Sequence, residues 1–329
     1  MSRADELRLL TRIARLYHEQ NHTQAEIAAQ LNLSQARVSR LLTTARDEGI
    51  VRISVTAPHF TYPELEERLE AEFGLKEAIV VDSVADDEEQ LFRDIGSAAA
   101  FHVETTLKQN EVIGISSWSA TLLAMVDAMH PFNRDTQAKV VQILGGVGNR
   151  VAEVYATQLA QRLAQLLRGE TVLLPAPGIV GSADAKRVLM SDPFVQETFR
   201  LMDDVTIALV GIGALQPSSL LTDSGNIFSD DDIARLAEFG AVGDICQRFF
   251  DATGMPVSSP VDDRVIGMDF EQLSKVPRVV GAAGGARKTA AIRAAAIGGW
   301  INVLVTDRAT AQRLLGMFAT PSSKQEVSR

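Results

Sequence analysis

Two groups of residues in this 329-residue sequence have types and spacings that could do chemistry. The first is Thr23, Gln24, Gln35, Arg37, Ser39, Arg40 and Thr43, close together near the N-terminus. Val38, Leu41, Leu42 and Ala45 recur at i, i+3, i+4 and i+7, the apolar stripe of a helix. The opposite arc of that helix holds Ala36, Arg40, Thr43 and Asp47, flanked by Arg37, Ser39 and Thr44. Short hydrogen-bonding side chains with two arginines suit a helix in a DNA major groove, where Arg pairs with guanine edges and Ser or Thr with bases or phosphates. Gln35, at the helix start, is a further candidate contact. Thr23 and Gln24 open the preceding helix, where side chains and backbone amides can meet phosphates.

The second group lies in glycine-containing turns that follow apolar runs. Ser116, Ser117, Trp118, Ser119 and Thr121 sit in GISSWSATL, and Gln142, Gly145 and Gly146 in QILGGVGN. Gly211-Ile212-Gly213 forms a third turn, and Lys288 closes a fourth, GAAGGARKT. Hydroxyls and free amides where a strand gives way to a helix favour an anionic or polyhydroxy ligand. None of these turns carries an enzyme signature. The fourth is no Walker loop, because positions 282 and 287 are Ala and Arg instead of Gly. The first is no G-x-S-x-G elbow, because Trp118 stands where the closing Gly belongs. His18-Glu19-Gln20-Asn21-His22 matches a zinc-protease string, but it straddles the break between two helices, so its histidines do not share one face. No metal, cofactor or catalytic residue is expected.

The elements that must position these residues can be read from patterning. A first helix over Asp5–Tyr17 places Leu10, Ile13, Ala14 and Tyr17 on one face. Thr23 and Glu26 form a capping box for a second, short helix that buries Ile27, Ala28 and Leu31. After Leu31-Asn32-Leu33, Ser34 caps a third helix running to about Glu48, and Gly49 ends it. IVRISV then reads as a strand. APHFTYP, with two prolines, is a connector, and Leu65–Phe73 is a linking helix that could serve in self-association. From Ala78 strands and helices alternate: AIVVDS, EVIGIS, KVVQILGG, TVLLPAPG, DVTIALVGIG, PRVVGAAGG and INVLVTD are the strands. Glu153–Leu167, Ser229–Glu238 and Arg287–Ile297 are among the helices. Apolar runs of this length between helices indicate a parallel sheet covered on both faces.

The expected organisation is therefore a DNA-binding helix-turn-helix at 1–56, a linker at 57–75, an α/β effector domain at 76–320 and a flexible tail at 321–329. The net charge of −10 is unevenly divided. Residues 1–56 hold eight Arg against six Asp or Glu, whereas the remainder holds 24 basic and 36 acidic side chains. A mildly basic head on an acidic body fits one end meeting DNA. A single cysteine, Cys246, excludes an intramolecular disulfide framework and suits a reducing cytosol. The start, MSRADELRLL, lacks an apolar signal core, and no apolar run is long enough to span a membrane, so a cytoplasmic protein is expected.

In this order the segments TQAEIAAQLNLSQARVSRLL, VIGISSWSATL, VQILGG, LLPAPG, DVTIALVGIG, GAVGDI, RVIGMDFEQLSKVPRVVGAAGG and KTAAIRAAAIGGWINVLVTD resemble the SorC family of bacterial sugar-responsive regulators, described also with DeoR-type repressors. The resemblance covers nearly the whole chain. It implies a winged-helix-like reader followed by a Rossmann-like effector domain similar to ribose-phosphate isomerase and glucosamine-phosphate deaminase. It also implies a tetramer, whose affinity for double-stranded operator DNA follows a small sugar, sugar phosphate or polyol. The family's ligand loop falls on Ser116 to Thr121, its second loop on Gln142, Gly145 and Gly146. The resemblance adds Asp244, Gln247 and Lys288, with Lys288 neutralising a phosphate or pairing with Asp244 when the site is empty. Ser119 stands where the family commonly has glycine, which narrows the approach to backbone amides and favours a polyol or less charged sugar. The rival reading is an isomerase or deaminase with Asp184, Asp223 or Asp244 as base.

Overall fold

The computed structural model describes residues 3–51, 60–83, 87–147, 150–217, 222 and 228–316, with 150–155 described by backbone alone. The chain divides into two compact units, Met1–Pro58 and His59–Arg329.

The first unit holds three helices, α1 (Arg3–His18), α2 (Gln24–Leu31) and α3 (Gln35–Asp47). Local chemistry sets each boundary. Thr23 and Glu26 form the reciprocal capping box of α2, Asn32 ends it in the left-handed region at φ 53°, and the Ser34 side chain accepts the Arg37 amide. Ile13, Ile27, Val38 and Leu42 form one buried cluster, and Leu10, Ala14 and Ala45 a second that also receives Ile50 and Val51. The aromatic expected in this core is not there: Leu16 is buried, and Tyr17 is 36% exposed, edge-on to His18. Leu16, three residues after Ile13, offers an apolar side chain to Ile27, whereas Tyr17 would have had to bury a hydroxyl. α1 ends at His18 and Asn21 adopts a positive φ, so His18 and His22 do not share a helix. Most of the IVRISV segment, expected as a strand, lies outside the described residues.

The second unit runs α4 (Pro63–Phe73), β1 (Glu77–Val81), α5 (Glu88–Thr106), β2 (Val112–Ile115), α6 (Ala120–Ala128), β3 (Lys139–Gln142), α7 (Arg150–Leu167), β4 (Glu170–Val172), α8 (Ala183–Met190), α9 (Pro193–Met202), β5 (Ile207–Val210) and β6 (Gly213–Ala214). It continues with α10 (Asp230–Glu238), β7 (Ala241–Ile245), β8 (Arg248–Asp251), α11 (Phe270–Lys275), β9 (Arg278–Ala282), α12 (Thr289–Ile297), β10 (Val303–Asp307) and α13 (Arg308–Leu314). All seven expected strands join one sheet in the order β1-β10-β9-β5-β2-β3-β4, and every pairing is parallel. Two apolar layers cover its faces, one around Ile113, Leu122 and Leu163, the other around Val141, Ala208 and Phe250. β4 stops at Val172 because Pro175 and Pro177 cannot extend a ladder. β6, β7 and β8 form a separate antiparallel sheet that patterning did not reveal.

The linking helix α4 is docked within this unit. β1 is an edge strand, and its outward amides would otherwise be unpaired. Glu66 accepts the Val80 amide and Glu70 the Ala78 amide, each at 2.9 Å. The match is geometric: four residues of helix rise about 6 Å, close to two residues of strand. Leu69, between the two glutamates, is fully buried. Burial pushes the Glu66 carboxyl above its ordinary value against the pull of the Val80 amide, and Glu70 and Glu77 push the same way.

A carboxyl held up in this way favours the fold most when protonated, so its contribution declines as pH rises. We therefore expect Glu66→Gln, which keeps the acceptor oxygen, to be at least as stable as wild type at pH 7. Glu66→Ala, which orphans the Val80 amide, should lose about 1–3 kcal/mol in urea unfolding. Equal loss in both variants would contradict the edge-capping role.

Candidate ligand pocket and DNA-reading face

In the first unit, Gln35, Arg37, Ser39, Arg40 and Thr43 are all exposed on the side of α3 opposite Val38 and Leu42. The Arg40 guanidinium leans on its own helix, donating to the Ala36 carbonyl at 3.3 Å, and Thr43 donates to the Ser39 carbonyl. Among the described residues Arg37 has no ion-pair partner, so its charge faces outward. Gln24 is half-buried at the α2 start. Thr23 is exposed, but its hydroxyl is engaged in the capping box, donating to Glu26 at 2.9 Å.

In the second unit the strand order creates a crevice. β2 leads on to β3 on one side, and β5 pairs with β9 on the other, so the connections leaving β2 and β5 diverge. Parallel sheets bind ligands at such switch points, outside the carboxyl ends of the strands. Here a cleft of about 840 Å³, part of it open to solvent, is lined by the turns after β2, β5 and β9 and by the tip of the β7–β8 hairpin. Ser116, Trp118, Ser119, Asp244, Gln247 and Lys288 line it.

The other candidates stand behind that wall. Gln142 is buried, donating to the Ser117 hydroxyl at 2.9 Å and accepting the Leu174 amide at 3.1 Å. Ser117 donates in turn to the Leu144 carbonyl. Gly145 is glycine because a Cβ would lie 2.4 Å from the Pro177 carbonyl, and one on Gly146 would strike the Gln142 amide. Thr121 is buried in the first turn of α6. Ser117, Gln142, Gly145 and Gly146 brace the loops of the cleft, and none of these four, nor Thr121, lines it.

The cleft's charge comes from Asp244, Lys288, Arg287 and Glu88. Asp244 precedes a two-residue hairpin turn in which Cys246 and Gln247 both take positive φ, 52° and 62°. Neither is glycine, and each such residue costs about 1–3 kcal/mol and persists only where its surroundings enforce it. The Asp244 carboxylate supplies part of that enforcement by accepting the Gln247 amide at 3.0 Å. Burial pushes the Asp244 carboxyl up to about 6, although the Gln247 amide and Lys288 pull it down. Burial and Arg287 lower Lys288, and Asp244 and Glu88 oppose them. The expected Lys288–Asp244 pair is not a direct ion pair: the Lys288 ammonium lies 5.9 Å from the Phe92 ring centre and acts on Asp244 through the field alone. Arg287 is tied back to Glu88 at 3.6 Å and to the Gln216 carbonyl at 3.3 Å. Cys246 lines the cleft as a thiol pushed up to about 12, which leaves it protonated and unreactive.

Sequence reasoning passed over Glu88, Phe92, Cys246 and Arg287. Arg287 was the most accessible of them, since it adjoins Lys288 in a turn already singled out.

A three-helix DNA reader followed by a parallel-sheet domain with a polar cleft at its switch point defines a one-component, ligand-responsive regulator. Comparison with known proteins places it further. The family model described as "Putative sugar-binding domain" matches residues 58–316, and "Sigma-70, region 4" matches residues 11–48. The deoxyribonucleoside regulator of Bacillus subtilis is 34% identical over 92% of this chain and 95% of its own length. The sorbitol operon regulator of Klebsiella pneumoniae is 31% identical over 96% of this chain and 100% of its own. The crystal structure of full-length SorC from Klebsiella pneumoniae superposes with a TM-score of 0.73 at 30% identity, covering 94% of this chain and 99% of that one. The chain belongs to the SorC family of sugar-binding transcriptional regulators.

The Asp244 carboxyl gives a pH signature for the empty cleft. Its fold-imposed rise from 3.8 to about 6 means the fold favours the protonated acid. That contribution is complete below about pH 4 and is lost as pH rises through 6. Asp244→Asn should therefore melt above wild type at pH 7.5, with the gap narrowing steadily as pH falls toward 4. A gap that widens on acidification would contradict this reading of the cleft.

Proposed function

We propose that the cleft binds a small polyhydroxylated metabolite, a sugar, polyol or sugar phosphate, and that its occupancy sets the affinity of α3 for double-stranded operator DNA. The observation that carries this reading is the strained Cys246–Gln247 turn, which presents a carboxylate across a polar cleft from a lysine. Backbone strain held by non-glycine residues clusters at ligand sites, which supports a ligand role for this turn. Asp244 can accept hydrogen bonds from ligand hydroxyls, while Ser116 and Ser119 add hydroxyl groups at the mouth of α6. The Ser119 side chain also accepts the Leu122 amide and so caps α6 internally. That engages an amide that would otherwise face an anion and favours a neutral polyol at this end. Lys288 and Arg287 form the cationic end, where a phosphate would sit.

The names of the relatives, sorbitol and deoxyribonucleoside regulators, support an effector of this chemistry and control of a carbohydrate catabolic operon. We further read the chain as a cytoplasmic repressor that works as a homotetramer, which is what the family resemblance of the sequence implies. Catalysis is not part of the reading. Asp184 is exposed, paired with Arg187 and does not line the cleft, and Asp223 lies outside the described residues. Of the two proposed bases that are described, Asp244 alone stands on the cleft wall, and Glu88 is paired with Arg287.

Two measurements test the two halves separately. With a duplex selected by the wild type from a random library, Arg37→Ala and Arg40→Ala should each weaken binding by about tenfold or more, measured by fluorescence anisotropy. Unchanged affinity in both would remove α3 as the reading helix. A thermal-shift screen of sugars, polyols and their phosphates should give a hit whose shift falls in Lys288→Ala, with operator affinity retained. An identical shift in that variant would remove Lys288 from the site.

A further inference from the structure

The turn carrying Lys288 is held from behind by residues that do not line the cleft. Gly285, at φ +93°, starts that turn, and the Lys288 amide donates back to its carbonyl at 3.1 Å. The Gly285 amide itself is gripped by two acceptors, Asp307 Oδ2 at 3.1 Å and Thr310 Oγ1 at 2.8 Å. Asp307 and Thr310 are both buried. The other Asp307 oxygen accepts the Thr310 amide at 2.9 Å and caps α13. One carboxylate thus fixes both the lysine turn and the start of a helix. The fit is close, since a Cβ on Gly284 would lie 2.3 Å from Asp307 Oδ2.

The next residue, Arg308, faces a different element. Its guanidinium carbon stands 5.2 Å from the centre of the Tyr62 ring, and Tyr62 is the N-cap residue of α4. Burial and the Asp82 carboxylate raise the Tyr62 hydroxyl above its ordinary value, and Arg308 pulls the other way. α13 packs against both the lysine turn and α4. α4 is the first described helix after the residues that join the two units.

We propose that Asp307 and Arg308 form a positioning pair that ties the lysine turn of the cleft to the first turn of α4. Occupancy of the cleft is then felt at the helix through which the chain leads back to the DNA reader. This rests on the cleft being the effector site, and it adds the element that carries the response. The coupling needs two features together: a carboxylate with two acceptor oxygens, and a cation one residue later. Asn at 307 has a single acceptor oxygen and cannot hold both the Gly285 and Thr310 amides. Lys at 308 retains a charge for the Tyr62 ring, whereas Ala does not.

The test uses the full chain without any effector, so it succeeds or fails independently of what the cleft binds. Hydrogen exchange by mass spectrometry is followed in peptides spanning residues 63–73, 283–289 and, as a control, 139–142. Asp307→Asn should speed exchange in both 63–73 and 283–289 by roughly tenfold and leave the control unchanged. Arg308→Ala should speed 63–73 alone, and Arg308→Lys should behave as wild type. In the Arg308→Ala background, adding Asp307→Asn should produce no further change at 63–73. If Asp307→Asn does not fold, Thr310→Val, which removes one grip on Gly285, replaces it with the same expectations. The proposal is overturned if the two effects at 63–73 simply add, if the loosened turn never reaches 63–73, or if the control accelerates with the rest.

Discussion

An all-parallel sheet in which two neighbouring strands send the chain in opposite directions must leave a crevice at their carboxyl ends, and the second unit is organised around that gap. β2 and β5 are the two strands, and the Ser116 hydroxyl spans between them to accept the Gly211 amide at 3.3 Å. Three walls of the cleft hang from strand ends at this point: the serines after β2, the glycine turn after β5, the lysine turn after β9. The antiparallel β7–β8 hairpin then closes one side by bringing Asp244 against Gly213, so near that a Cβ there would meet the carboxylate. The rigid sheet supplies position, and the loops supply chemistry.

The cleft holds its charges in an unrelieved arrangement. Asp244 has been lifted by burial, Lys288 has been lowered by it, and the two are not in contact. Arg287 is meanwhile occupied by Glu88. Such a site gains most from a ligand that brings hydroxyls to the acid and negative charge or further hydroxyls to the cations. Buried groups left imperfectly paired are a cost that the right ligand removes and the wrong one cannot. Binding energy of this kind can favour one of two states and so shift an equilibrium.

Much of this is legible in the sequence alone. The helix-turn-helix could be read because its boundaries are written in side chains: the Thr23–Glu26 box, Asn32 in the left-handed turn, Ser34 as a cap. The seven strands could be read because strands buried on both faces are continuous apolar runs. The β7–β8 hairpin was hidden because its turn uses Cys and Gln where such turns favour Asn and Gly, so no local signal marks it. Glu88 and Phe92 were hidden because they enter the cleft from the start of α5, where acids ordinarily read as a solvated helix end. Gln142, Gly145 and Gly146 drew notice for their composition, yet what they do is brace neighbouring loops, a distinction that only packing reveals.

The central claim is that one ligand and one DNA sequence act on the same equilibrium. Linkage makes that measurable: the factor by which the ligand changes operator affinity must equal the factor by which operator changes ligand affinity. The direct measurement is isothermal titration of the screened ligand into the free chain and into the chain saturated with its selected duplex. The account predicts two different dissociation constants whose ratio matches the ratio of operator affinities with and without ligand. Equal ligand affinity in the two titrations would contradict it.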